Sequence, residues 1–396
     1  MRSSDATRAA PANDMHSHAG RGDMMKAQYT EERVEDHTDG ALGLAIIGVV
    51  CVTVLGRIND AGFLQDGRIA HLLVLLQFIV SAFAYPCLFF LCGLKAADAL
   101  GRATSRWGFV KTMLATLVYP YLLWSLLQMG VQWFIAQQAN HPFPLTDFDR
   151  AAWAPVDQLW FLYALCVCQL IACFTLWRAA RERGGVVSVA GSVVLAVFAV
   201  ICATLATRTD WGIVTLTLWG LTFFLLGMLL GPRFSAWIVR AARIPVVIVA
   251  LVVFAVTIRL AQSLGGYLNA STLPGTCFAI VAALLLAQLL GDRWNVRWLS
   301  TLGAAWMPVY LLHVLVTALV WHALLAASFT AAVVQFFVGV VVGVIVPVAV
   351  YRFTKRARMA GLVGFGHAEL PPRTDAQQQA QLARYDGRVG IDQPHG

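Results

Sequence analysis

Three imidazoles stand where a proton could be moved within or at the edge of apolar sequence: His71, His313 and His322. A neutral imidazole is the side chain best suited to take a proton from a hydroxyl near neutral pH. His313 lies in the middle of an apolar run, with Tyr310 one helical turn before it. Polar groups at that depth are costly unless they are paired or face a wet cavity, so His313 is the first functional candidate and Tyr310 its nearest partner. His71 opens one apolar segment and His322 closes another, which places both at one rim of the membrane, at the level expected for Thr53. A threonine hydroxyl there donates or accepts a hydrogen bond but is no base at neutral pH. Each position also has a plainer reading, as a hydrogen-bonded core histidine for His313 and as interfacial rings for the other two.

Other chemistries find no foothold. No Gly-rich phosphate loop, paired-carboxylate site, His-Cys metal cluster or Gly-x-Ser-x-Gly turn occurs. All eight cysteines fall inside apolar stretches and read as small buried hydrophobes. Cys166 and Cys168 form a Cys-x-Cys, yet helical spacing turns them about 200 degrees apart and no second pair completes a zinc site. No metal is therefore expected.

The elements that must hold these residues are membrane helices. An apolar content of 59% with 13% charged residues and a mean hydropathy of +0.69 would leave a soluble globule far too little polar surface. Ten apolar segments appear at 40–56, 70–94, 109–135, 157–177, 186–206, 211–231, 244–262, 273–290, 302–326 and 331–352. Each is near the roughly 20 residues that a crossing helix needs; the first, bracketed by Asp39 and Arg57, is the shortest. The reading is an all-α, polytopic bundle of about ten transmembrane helices. Counting 1.5 Å per residue from Leu302 puts His313 about 16 Å deep, near the bilayer midplane.

Basic residues crowd alternate gaps: Lys95, Arg102, Arg106 and Lys111; Arg178, Arg181 and Arg183; Arg233, Arg240 and Arg243; Arg293 and Arg297; Arg352, Lys355, Arg356 and Arg358. Those gaps are expected in the cytoplasm, with the balanced or uncharged ones outside and both termini inside. The net charge of +8 sits in these short loops, where anionic head groups of the lipid bilayer are the ready partners and nucleic acid is not. Residues 1–38 and 359–396 read as polar, disordered cytoplasmic tails flanking a membrane domain at 39–358. Gly339 and Gly343 give the last helix a small-residue face suited to packing within the molecule. The long outer loop, 136–156, is read evenly as a lid or a solvated connector.

Several strings, in order, resemble the integral-membrane acyltransferase-3 family. They are Asp39-Gly40-Ala41-Leu42-Gly43-Leu44-Ala45-Ile46, Phe89-Phe90-Leu91-Cys92-Gly93, Tyr119-Pro120-Tyr121, Leu159-Trp160-Phe161-Leu162, Phe223-Phe224-Leu225-Leu226-Gly227, and Leu302-Gly303 followed by Tyr310-Leu311-Leu312-His313. The resemblance spans about Asp39 to Tyr351 and implies transfer of an acyl, acetyl-like group from a cytoplasmic acyl-CoA to a hydroxyl of an extracytoplasmic glycan or similar acceptor. It implies a bacterial-type inner membrane as the setting.

The chain departs from that pattern where it matters most. Family members usually carry a basic residue early in helix 1 and, eleven positions on, the His taken as general base; those positions are Leu42 and Thr53. The basic pair usual before the Tyr-Pro-Tyr string is absent, leaving Lys111 as the nearest cation for a donor phosphate. The expected roles are then His313 for donor or intermediate handling, His71 or His322 as replacement base, and Tyr310 as orienting partner. Arg259, near the outer end of its helix, either snorkels to head groups or holds the anionic acyl donor. The alternative is a catalytically silent relative acting as a transporter or flippase, which the missing base favours and the lack of an internal repeat disfavours.

Overall fold

The computed structural model describes residues 38–64, 67–138, 157–182, 189–264, 270–294 and 296–366. Residues 36–372 form one compact unit, and the chain ends 1–35 and 373–396 lie outside the described residues. Of the expected tail 1–38 all but Thr38, which begins the first helix, falls outside the description, as do most of the 136–156 loop and residues 367–396.

Every regular element among the described residues is helical. The order is α1 (Thr38–Asp60), α2 (Arg68–Arg102), α3 (Arg106–Met113, a π turn Leu114–Val118, then Tyr119–Gln138) and α4 (Trp160–Glu182), the last preceded by a 3₁₀ turn Asp157–Leu159. Then come α5 (Val189–Arg208), α6 (Ile213–Ala241), α7 (Ile244–Leu264), α8 (Leu273–Trp294), α9 (Arg297–Ala304), α10 (Trp306–Ala326) and α11 (Ala332–Arg356). Ten of these, all but α9, are long and apolar enough to cross a bilayer, so the chain is a polytopic, all-α membrane protein. The first span is longer than its flanking charges suggested and is the most enclosed of the ten. Its charges are accommodated rather than excluded: Asp39 pairs with Lys95 Nζ of α2 at 2.6 Å, and Arg57 donates to Thr317 of α10 at 3.3 Å.

Close backbone approach explains the glycine-terminated strings. A Cβ on Gly93 would collide with the Phe224 carbonyl, and one on Gly227 with the Phe90 carbonyl. The two Phe-Phe-Leu-x-Gly strings thus seat against each other across α2 and α6, each glycine on the other's phenylalanine backbone. A Cβ on Gly303 would collide with the Asp39 carbonyl and crowd Gly43, which fixes the start of α10's approach to α1. Gly339 and Gly343 of α11 meet Val54, Val50 and Thr317, so that small-residue face packs within the molecule.

Two helices are interrupted. The π turn of α3 sits just ahead of Pro120, whose ring excludes the usual i−4 carbonyl and whose nitrogen has no proton to give it. The span expected from Leu302 is broken at Ala305, and α10 begins only at Trp306. Pro308 fits there because the first turn of a helix needs no amide donors. His313 consequently lies about 11 Å from the start of its helix rather than 16 Å.

The packed structure also runs past the boundary expected at 358. Tyr119 donates its hydroxyl to the Leu362 carbonyl at 2.6 Å, and Trp124 Nε1 donates to the Val363 carbonyl at 3.0 Å. Phe365 is buried, stacked on Trp124 with ring centroids 5.7 Å apart and edged by Tyr351. Gly364, at φ 79°, makes the turn that brings this segment against Pro120. Two aromatic side chains on α3 thereby gain partners from residues whose polar neighbourhood had suggested a free tail.

Candidate functional site

α1 and α10 run parallel and in register. Thr53 Oγ1 lies 3.1 Å from His313 Nε2, and one turn further Arg57 Nη1 donates to Thr317 Oγ1 at 3.3 Å; both pairs are 260 residues apart in sequence. Thr53 is therefore not at the rim with His71 and His322, where it was expected, but beside His313 in the bundle. Both partners are buried, His313 completely.

The geometry fixes the tautomer. His313 Nδ1 faces the carbonyls of Tyr310 at 2.6 Å and Val309 at 3.2 Å, which can only accept, so Nδ1 carries the proton. Nε2 then presents a lone pair to Thr53. The Thr53 hydroxyl has one proton and two acceptors within reach, His313 Nε2 and the Val49 carbonyl at 3.1 Å. Thr317 Oγ1, bonded to the His313 carbonyl at 2.7 Å, relays Arg57 to the same turn of α10. Val54, Arg57, Thr317, Val320, Trp321, Gln335 and Gly339 line a small cavity of about 10 Å³, room for about one water, one turn beyond the imidazole.

On the opposite side of His313 the site is aromatic. The Phe161 ring centroid lies 5.3 Å from that of Tyr310, 4.6 Å from Phe89 and 6.2 Å from Trp306, while Tyr85 packs tilted against Trp160 at 4.8 Å. Gln158, in the 3₁₀ turn that opens α4, joins them: its Oε1 accepts from the Tyr85 hydroxyl at 2.5 Å and its main-chain carbonyl from the Tyr310 hydroxyl. The Leu159-Trp160-Phe161-Leu162 string thus opens α4 inside the bundle.

Of the residues singled out from sequence, His313 and Tyr310 come together, but through Tyr310's main-chain carbonyl; its hydroxyl is committed to Gln158. His71 is exposed in the first turn of α2, and His322 is exposed nine residues, about 13 Å, along α10 from His313. Neither hydrogen-bonds to Thr53 or His313 among the described residues. Lys111 is exposed, its ammonium 5.9 Å over the Trp107 ring, and Arg259 is exposed, donating to Gln262 Oε1 at 2.6 Å. No group of three or more possible metal ligands occurs among the described residues. Sequence reasoning missed Gln158, and it missed the Arg57–Thr317 pair. The legible signal was the repeated i, i+4 spacing of polar residues on two apolar helices, Thr53 with Arg57 and His313 with Thr317.

No curated protein and no solved structure matches the chain. The family model for the acyltransferase-3 type, described as an acyltransferase domain, matches residues 38–352, from the first residue of α1 to the last turns of α11. The matched span contains the α1–α10 pair, the Gln158 turn, nine of the crossing helices and all but the last four residues of the tenth, and by that match the chain belongs to the acyltransferase-3 family of membrane acyltransferases.

Proposed function

We propose that the protein moves an acyl, acetyl-like group from a cytoplasmic acyl-CoA to a hydroxyl of an extracytoplasmic glycan or similar acceptor, with His313 as the general base. The observation that carries this reading is the Thr53–His313 pair. At the position where the family's helix-1 His is expected stands a hydroxyl, and it rests 3.1 Å from an imidazole whose free lone pair is turned toward it. His313, rather than His71 or His322, takes the role because only it meets Thr53.

The acceptor hydroxyl takes the place of Thr53 on Nε2, and Thr53 turns its proton wholly to the Val49 carbonyl. Nε2 removes the acceptor's proton as its oxygen attacks the thioester carbonyl; a C–O bond forms and the carbonyl π pair moves to oxygen. The oxyanion collapses, the C–S bond breaks, and the coenzyme A thiolate leaves with the proton returned from His313. The acceptor approaches from the side of Arg57 and Thr317, in keeping with the charge alternation that puts that end of α1 outside. Lys111 and the basic loops are the cations on the donor's side, with Lys111 holding a donor phosphate; Arg259, at the outer end of α7, serves as an interfacial anchor. The setting is a bacterial-type inner membrane with both termini inside.

Base-labile ester content of surface glycans, compared in cells with and without the protein, tests this. Expression should raise it, and His313→Gln should abolish the rise at equal folded yield. Unchanged ester content with well-folded wild-type protein would instead favour a silent transporter-like relative, the reading that Thr53 in place of the base supports.

A further inference from the structure

We propose that Gln158 binds the carbonyl oxygen of the transferred acyl group and the oxyanion it becomes. This rests on the acyl-transfer reading above and names a second catalytic residue for it. The side-chain amide is oriented by its neighbours. The 2.5 Å separation from the Tyr85 hydroxyl fits an O–H···O bond and is too short for a usual N–H···O bond, so Oε1 faces Tyr85 and Nε2 points away. The residue's main-chain carbonyl takes the Tyr310 hydroxyl. Among the described residues nothing accepts from Nε2, and the side chain is only half-buried, so two N–H groups remain for a ligand.

The position suits a developing negative charge. Gln158 opens the 23-residue α4, whose first-turn amides point toward an incoming anion. The two tyrosines that hold it belong to an aromatic cluster with Trp160 and Phe161, and an apolar setting strengthens a hydrogen bond to an oxyanion relative to water. Tyr310 spans the two halves of the site, fixing Gln158 through its hydroxyl and His313, one turn further, through its carbonyl. As the C–O bond forms, Nε2–H donates to the oxygen that receives the π pair; when the C–S bond breaks, that pair returns and Gln158 keeps its protons. Tyr85 is a positioning residue, holding the amide so that it meets the oxyanion without rearrangement.

Infrared spectra of purified protein with acetyl-CoA carrying a ¹³C carbonyl test the contact directly. In wild type the labelled band should move to lower wavenumber than in water; Gln158→Leu should reverse that displacement, and Tyr85→Phe should broaden it. The same Gln158→Leu protein, monodisperse and with unchanged Tm, should lose about 10² to 10³ in kcat with little change in KM, as removal of an oxyanion donor does. A band position equal in wild type and Gln158→Leu, or a kcat within about threefold of wild type, overturns the assignment while leaving acyl transfer standing. Wild-type protein that binds no acetyl-CoA overturns the donor reading, and this assignment with it.

Discussion

Removing the Thr53 hydroxyl while keeping its shape, as Thr53→Val does, leaves the lone pair of a completely buried imidazole without a partner. An unsatisfied buried acceptor costs about 1–3 kcal/mol in general, but inter-helix hydrogen bonds within membranes average about 0.6 kcal/mol in double-mutant cycles and reach about 1.7. Because His313 Nδ1 is already spent on the Tyr310 and Val309 carbonyls, the ring cannot turn to find another donor for Nε2. The value should therefore lie toward the upper end. In a His313→Leu background the same Thr53→Val change removes only a hydroxyl already bonded to the Val49 carbonyl within its own helix, at a cost near zero. The coupling free energy between the two positions should thus be about 1–1.7 kcal/mol. Four proteins, unfolded reversibly in mixed micelles and followed by tryptophan fluorescence, supply the cycle. Additive effects, with a coupling below about 0.4 kcal/mol, would mean that Thr53 and His313 share no proton, and the base assignment would lose its structural footing.

Gly303→Ala forces a methyl group into the Asp39 carbonyl and should lower stability by about 1–3 kcal/mol as overpacking does; an unchanged unfolding midpoint would deny the close approach of α1 to the α9–α10 break. Phe365→Ala should cost about 3 kcal/mol by emptying the space between Trp124 and Tyr351, whereas Leu362→Ala, whose side chain is exposed, should cost almost nothing; equal effects would show that the C-terminal turn is not docked. Cysteines placed at Thr146 and Gly265 should react with an impermeant thiol reagent in intact cells, and those at Ser105 and Ser235 should not; the reverse pattern would invert the orientation derived from the basic loops.

Hydropathy and length were enough to locate all ten spans, because a bilayer imposes the same requirement on each helix independently of its neighbours. Charge bracketing understated α1, since it treats Asp39 and Arg57 as belonging to water when each has a partner on another helix. The break at Ala305 was hidden by a continuous apolar run in which Pro308 was the one mark of a helix start. The site was harder to read. His313 was recognisable by the cost of a polar ring in hydrocarbon, but its partner lies 260 residues away, and nothing in the local spacing of Thr53 says which helix it faces. Gln158 was invisible for a different reason: at an expected membrane boundary a glutamine is ordinary, and only the entry of the α4 start into the bundle makes it unusual. The C-terminal turn misled because composition was weighed over the whole segment, whereas docking depends on Phe365 and two main-chain carbonyls.

What the Thr53 substitution does to the chemistry follows from proton counting. A second imidazole at position 53, 3 Å from the first, could pass protons on or take up the one that His313 releases. Thr53 can do neither, since its hydroxyl returns to the Val49 carbonyl whenever it leaves Nε2. His313 is then the imidazole at the α1–α10 contact that must manage the proton, and its Nδ1 proton is locked against two carbonyls. A proton accepted at Nε2 must leave from Nε2, and under the proposed reaction the coenzyme A thiolate is the base produced at that moment to receive it. The same restriction asks more of the donors around the carbonyl: with one imidazole managing the proton, stabilisation of the oxyanion falls to a neutral group whose N–H donors have no other hydrogen bond to keep. Gln158 meets that description, held by Tyr85 at one end of its amide and by Tyr310 through its backbone, with Tyr310 tying it to the turn of α10 that carries His313.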